Sequence, residues 1–144
     1  MDQPISVIDV AAYILHKKGS MSSMKLQKLV YYCQAWSLVW DDAPLFREDI
    51  EAWRDGPVVR ELFYRHKGQF VVSHVDGDAS ALSASQAETV EAVLADYGNS
   101  DGATLSQMTH DEAPWQEVRR DLPEGVNSDH VITHASMKRF YSSL

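Results

Sequence analysis

The most regular pattern of apolar and polar residues lies between Ser22 and Asp41. Apolar residues recur there at the i, i+3, i+4, i+7 spacing that is typical of an α-helix. Two further stripes of Tyr, Ala, Val, Gln and Leu cover the other sides, whereas a helix at the protein surface would keep one plainly polar side. The pattern therefore predicts a central helix that is packed on most sides. Its main apolar stripe consists of Leu26, Leu29, Val30, Cys33 and Trp40.

Core packing does not explain the polar residues of this helix. A buried polar group without a hydrogen-bond partner costs about 1–3 kcal/mol. Two interpretations therefore remain open: these side chains form internal hydrogen bonds, or they belong to a binding surface. The residues concerned are Lys25, Gln27, Lys28 and Gln34.

Helical spacing and capping residues predict six further helices around the central one. Ser and Thr are favoured as N-caps, and Pro is favoured at the first helical position. The predicted starts are Ser6, Pro57, Ser83 or Ser85, Ala103, Pro114 and Thr133. The last of these helices is expected to present Met137, Phe140, Tyr141 and Leu144 on one face.

Two segments with strand character complete the predicted fold. Ile50–Trp53 alternates apolar and polar residues, and Phe70–Val75 is the other candidate, so the two are expected to pair. A sharp turn at Gly56 and Pro57 is expected to lead directly into the next helix. The predicted fold is mainly α, a compact helical bundle around a central buried helix with a small two-stranded β element, in a single domain over residues 1–144.

Composition and charge narrow the classes of function. At 144 residues with 44% apolar content, the chain is long enough for one substantial core. Its formal net charge of −8 argues against nucleic-acid binding, which needs a basic face, and favours basic protein partners. The single Cys33 forms no internal disulfide, and we find no secretory leader and no membrane-spanning segment. We therefore expect a cytoplasmic protein.

Only the segment from Thr109 to Trp115 resembles an active site. His110 beside Asp111 and Glu112 suits a general base with an orienting acid, as in a small hydrolase or transferase. The alternative interpretation is a helix end, because a His complements the C-terminal dipole and Pro114 suits the start of the next helix.

No cofactor or metal site is predicted elsewhere. His130 and His134 have i, i+4 spacing, but Thr133 is the predicted cap between them, and the chain has one Cys and no zinc motif. Among the tryptophans, Trp53 followed by Arg54 is the pair we expect to face a partner, since these residue types are enriched at binding hot spots.

Three motifs in this order and spacing resemble the SocA-like family, also called the Panacea antitoxin domain, which includes phage-associated GepA-like proteins. The motifs are K-L-Q-K-L-x-Y-Y-x-Q-A-W from Lys25, E-A-W-x-x-G-P-V from Glu51 and T-H-x-E-x-P-W from Thr109. The resemblance extends from the first helix to Tyr141. Cys33 departs from the pattern, where a small apolar residue is common.

The resemblance implies a non-enzymatic antitoxin, encoded in a bacterium or a prophage, that neutralises a cognate toxin from an adjacent gene by direct contact. A second mode that it implies is that of an adaptor delivering the toxin to a Clp-type protease. No cofactor, nucleic acid or membrane is implied. The toxin-binding residues expected from the motifs are Lys25, Gln27, Lys28, Tyr31, Gln34, Trp53, Arg54, Gly56, Pro57, Thr109, His110, Glu112 and Trp115.

Overall fold

Helices dominate the computed structural model, which describes residues 2–144 and leaves Met1 outside. The helices of this described part are α1 Val7–Lys18, α2 Ser23–Trp40, α3 Arg60–His66, α4 Ala84–Tyr97, α5 Gly102–His110, α6 Ala113–Arg119 and α7 His134–Tyr141. The strands are β1 Met21–Ser22, β2 Ile50–Trp53, β3 Gly56–Val58, β4 Val71–Val72 and β5 Val131–Ile132. The mainly α fold class predicted from the sequence is confirmed.

Helix α2 is the centre of the fold, as predicted. It packs against α1, α4, α5 and α7, and its residues from Leu26 to Ala35 are all buried. Cys33 has no exposed surface, and burial raises the pKa of its thiol. The prediction that Trp40 belongs to the buried apolar stripe is wrong. Trp40 is 47% exposed and stacks on Trp36, with ring centroids 5.0 Å apart, in the last turn of α2.

The predicted caps are present at several helix starts. The hydroxyl of Ser6 accepts a hydrogen bond from Ile8 N, and that of Thr133 from Ser136 N. Ser83 and Gln86 form a reciprocal capping box at the start of α4. One expectation for α7 is wrong: Leu144 lies beyond the helix end and is 72% exposed.

The strands form two separate antiparallel sheets, so the predicted pairing is wrong. The two-stranded sheet joins β1 to β4, with Met21 opposite Val72. In the three-stranded sheet, β2 lies between β3 and β5. Strands of two to four residues form few contacts of their own, so packing against the helices decides their partners.

The Gly-Pro turn does not open a helix, which corrects another prediction. Pro57 lies in β3 opposite Ala52, and α3 begins at Arg60. Ala52 N donates to His130 O on the other side of β2, so the missing N–H of Pro57 leaves no bond unmade between β2 and β3. The turn instead closes a hairpin, with Arg54 and Asp55 at its tip.

Candidate functional site

The thirteen residues of the predicted site divide by exposure. Arg54 is exposed, and a second group is partly exposed: Lys25, Trp53, His110, Glu112 and Trp115. The buried group consists of Gln27, Lys28, Tyr31, Gln34, Gly56, Pro57 and Thr109. A partner could therefore touch only part of the set directly, and the buried members contact other residues of the chain.

Gln27 connects α2 to the start of α3. Its Oε1 accepts from Val59 N at 2.9 Å, and its Nε2 donates to Val59 O at 3.2 Å. These two bonds fix the amide orientation, so the same Nε2 donates to His66 Nε2 at 3.0 Å. His66 is therefore a neutral imidazole at this contact, and burial lowers its pKa.

Gln34 performs a similar task two helical turns further along α2. Its Oε1 accepts from Leu45 N at 2.8 Å and from Phe46 N at 3.1 Å, while its Nε2 donates to Phe46 O at 2.9 Å. For Gln27 and Gln34, the interpretation as internal hydrogen-bonding residues is thereby confirmed.

Lys28 lies beneath the hairpin formed by β2 and β3. Its side chain is buried, and Nζ donates to Pro57 O at 3.2 Å. A Cβ at position 56 would lie 2.5 Å from Lys28 Cε, and the φ of +126° at Gly56 also favours glycine. Burial lowers the pKa of Lys28 to about 8, and the charge of Asp55 opposes this change.

The end of α5 holds the hairpin tip in place. Ser106 Oγ donates to Asp55 O at 2.7 Å, and Thr109 Oγ1 donates to Ser106 O at 2.7 Å. Trp115 Nε1, from α6, donates to Trp53 O at 2.8 Å. Trp115 of the third motif therefore holds the backbone of Trp53 in the second motif.

His110 stacks on Trp115, with ring centroids 4.1 Å apart. Its Nε2 is buried and finds no hydrogen-bond partner among residues 2–144. Burial lowers the pKa of His110, and nearby Lys28 acts in the same direction. The imidazole ring of His110 therefore serves as a packing surface for the indole ring of Trp115.

Glu112 belongs to a separate buried cluster of tyrosines. Its Oε1 accepts from Tyr32 Oη at 2.7 Å and from Tyr141 Oη at 2.8 Å, and Tyr141 Oη lies 2.9 Å from Tyr31 Oη. Burial raises the pKa of Glu112 despite these two hydrogen bonds. Asp111 accepts from Gln107 instead.

The segment from Thr109 to Trp115 is a junction between two helices. His110 ends α5, Asp111 caps it, and Pro114 lies in the first turn of α6. Within residues 2–144 no hydrogen bond joins His110 to Glu112, so the acid–base pair considered from the sequence is not formed. The helix-end interpretation of this motif is confirmed.

A groove of about 280 Å³ opens beside the hairpin, between α2 and α3. Lys28 and Gln27 line it together with Trp53, Arg54 and other residues, namely Ser23, Met24, Asp55, Val58, Phe63, His66 and Asn127. Phe63 and His66 both come from α3, one turn apart. Asn127 comes from a loop that carries no recognisable pattern.

Two further depressions adjoin this groove. One of about 480 Å³ shares Trp53 and Asn127 with it, and one of about 470 Å³ shares Arg54. The hairpin tip is therefore surrounded by the groove and the two adjoining depressions. Sequence analysis missed the contributions of Arg60 and Arg119, which lie over the rings of Trp53 and Trp115 respectively.

Two negative findings concern residues 2–144. No group of three or more His, Cys, Asp or Glu side chains there is arranged to hold a metal ion. None of the helices in that range has the length and apolar character needed to cross a bilayer.

Comparison with known proteins identifies a family. A protein-family model described as "Antitoxin SocA-like, Panacea domain" matches residues 26–116, which is more than half of the chain. No curated protein and no solved structure matches the chain.

Proposed function

The chain belongs to the antitoxin SocA-like, Panacea-domain family, and from this premise we propose that it neutralises a cognate protein toxin by direct binding. The family match carries the proposal, because it spans all the motif residues named above except Lys25. The toxin is the product of an adjacent gene, in a bacterium or a prophage, and the complex forms in the cytoplasm.

The toxin-contacting surface in this proposal is the hairpin tip with its flanking tryptophans. Trp53, Arg54 and Trp115 are the accessible members of the motifs, and Lys25 lies on the first turn of α2. Tryptophan and arginine are enriched among residues whose truncation costs most binding energy. The buried motif residues hold this surface in one conformation, which lowers the entropy cost of binding.

Neutralisation by contact needs no reaction on the antitoxin. The alternative of a small hydrolase or transferase would require His110 to act with Asp111 or Glu112, and each of those carboxylates accepts hydrogen bonds from other side chains. We therefore propose a non-enzymatic protein that acts by covering the working surface of the toxin. The net charge of −8 favours rapid association with a basic toxin.

Delivery of the toxin to a Clp-type protease is a second mode of the same binding function. The two modes differ in the fate of the toxin: direct blocking leaves its amount unchanged, and delivery shortens its lifetime. A pulse-chase measurement of the toxin, with and without the protease, separates them.

Co-expression with the neighbouring gene product tests the proposal. We expect the chain to restore growth and to co-purify with the toxin. The double substitution Trp53→Ala, Arg54→Ala should weaken both effects at least tenfold. The matched control Trp40→Ala, Arg47→Ala, which removes an exposed tryptophan and an exposed arginine from elsewhere on the surface, should preserve them. Full toxin activity in the presence of excess wild-type chain, without a complex, would refute the antitoxin function.

A further inference from the structure

The groove between α2, α3 and the hairpin has the properties of a binding site for one acidic side chain. We propose that Lys28 binds the carboxylate of a Glu or Asp residue in an extended segment of the partner, whose neighbouring apolar group packs against Trp53 and Phe63. The identity of that partner as the toxin rests on the proposed function; the carboxylate site itself does not.

The first observation is the unfilled hydrogen-bonding capacity of Lys28. An ammonium group carries three N–H donors. Within the described residues it has one acceptor, Pro57 O at 3.2 Å, although the side chain is only 2% exposed. Asp55 acts on this amine electrostatically but pairs with Arg54, and no salt bridge to Lys28 is present in the described residues. An incoming carboxylate would therefore form a strong charge-assisted bond with the buried ammonium group.

The other buried polar side chains of the groove wall, Gln27 and His66, are already engaged. Gln27 uses both its oxygen and its nitrogen on the backbone of Val59, and its nitrogen also meets His66. His66 accepts that bond as a neutral ring. Among the buried polar side chains of the groove, Lys28 is therefore the one with donors left for a ligand, and it selects an acceptor that carries negative charge.

The walls of the groove suit an apolar group beside the carboxylate. Trp53 and Phe63 pack edge to face at 5.0 Å and, with Met24 and Val58, give it apolar walls. Asp55 also lines the groove, so a single negative charge fits better than a multiply charged phosphate.

The charge of the surrounding surface points to the same ligand. Four of the thirteen Lys and Arg residues line the groove and its two adjoining depressions, but only three of the twenty-one acidic residues do. The cations are Lys28, Arg54, Arg60 and Arg119, and the acids are Asp55, Glu124 and Asp129. The lining therefore carries one more cation than acid in a protein whose formal net charge is −8, and it suits an acidic segment.

Two blocked tripeptides of nearly equal shape test the inference: acetyl-Phe-Glu-Leu-amide and acetyl-Phe-Gln-Leu-amide. At pH 7 we expect the Glu peptide to bind at least tenfold more tightly, measured by calorimetric titration or by NMR shifts. Lys28→Met should abolish this preference, whereas Lys67→Met, which removes an exposed lysine, should preserve it. Equal affinities for the two peptides would overturn the inference, and so would a preference that survives in Lys28→Met.

A second measurement on the wild-type protein remains decisive if the variant does not fold. The Glu peptide should raise the pKa of the Lys28 amine, followed by NMR at its Cε methylene, and the Gln peptide should not. Two further probes, acetyl-Phe-Gln-Leu with a free C-terminus and inorganic phosphate, distinguish other anions. Tighter binding of either one than of the Glu peptide would contradict the assignment.

Toxin neutralisation, measured in parallel, separates this inference from the proposed function. A wild-type chain that binds the Glu peptide but neutralises no toxin leaves the carboxylate site intact and removes the antitoxin function. A chain that neutralises its toxin but shows no preference between the peptides removes the site alone.

Discussion

Lys28→Met should make the free energy of unfolding less sensitive to pH between about 8 and 10.5. The pKa of Lys28 falls from 10.5 to about 8 in the folded state because the amine is buried. Between these two values the unfolded chain binds more protons than the folded one, so this residue makes stability rise with pH in that window. The methionine variant lacks this contribution.

The size of the effect follows from the same change in pKa. A tenfold change in a protonation equilibrium corresponds to about 1.4 kcal/mol. Burial of the charged amine therefore costs the wild type about 3 kcal/mol at neutral pH, and about 2–3 kcal/mol of this is recovered between pH 7 and pH 10. At pH 7 the variant also loses the bond to Pro57 O, which costs about 1–3 kcal/mol. The two proteins should thus be similar in stability there.

Urea unfolding at pH 7, 8, 9 and 10, followed by circular dichroism, measures this difference. The free energy of unfolding of the wild type minus that of Lys28→Met should increase by about 2–3 kcal/mol over the series. Ionisation of buried tyrosines affects both proteins equally and cancels. Lys67→Met measures the contribution of net charge alone. A difference that stays level or decreases with pH would refute the reasoning about Lys28.

Three further predictions concern the neighbouring packing. Tyr141→Phe removes a hydroxyl that donates to Glu112, and we expect a loss of about 1–3 kcal/mol in the free energy of unfolding. Gly56→Ala should destabilise by about 1–3 kcal/mol, since it combines strained backbone with a close approach to Lys28; Gly68→Ala, with positive φ but open space, should cost less in the same unfolding assay. Burial raises the pKa of Glu112, so its carboxyl group holds a proton more tightly in the folded state than in the unfolded state. The stability contributed by this protonation is therefore lost as the pH rises above 4.5, the ordinary pKa of the group. Glu112→Gln should therefore raise the melting temperature at pH 7 and change it little at pH 4; a larger effect at pH 4 would contradict this sign.

Local sequence patterns predicted the helices well. The cap at Ser6, the capping box at Ser83 and the cap at Thr133 involve residues within three positions of one another, so their chemistry is visible in the sequence. The central helix was equally visible, since its apolar residues cover every side beyond the first turn.

The start of α3 was not predictable in the same way. Its cap residue Val59 has no capping side chain, and Val59 N is satisfied by Gln27, which lies 32 positions earlier. Pro57 was assigned to a helix for a related reason. Ala52, which lies opposite Pro57, donates its N–H across the other edge of β2 to His130 O, so a proline is tolerated in β3. Contacts between distant segments decide both cases.

The same distinction applies to the candidate site. The motifs identified Lys28, Trp53 and Arg54, which line one groove. Exposure could not be read from the motifs, since Gln27 and Gln34 are as buried as the aliphatic residues beside them. The division of the site into an internal frame and an accessible surface required the structure.

The position of Cys33 makes the reactivity of its thiol a measure of how often the protein core opens. This sole thiol has no exposed surface in the middle of α2 and its ionisation is suppressed, so an alkylating reagent can reach it only after α2 separates from its neighbours. Maleimide or iodoacetamide labelling in cell extracts would therefore measure how often the whole core opens. Any ligand that stabilises the native fold should slow that labelling in proportion to its occupancy, without an engineered tag or dye.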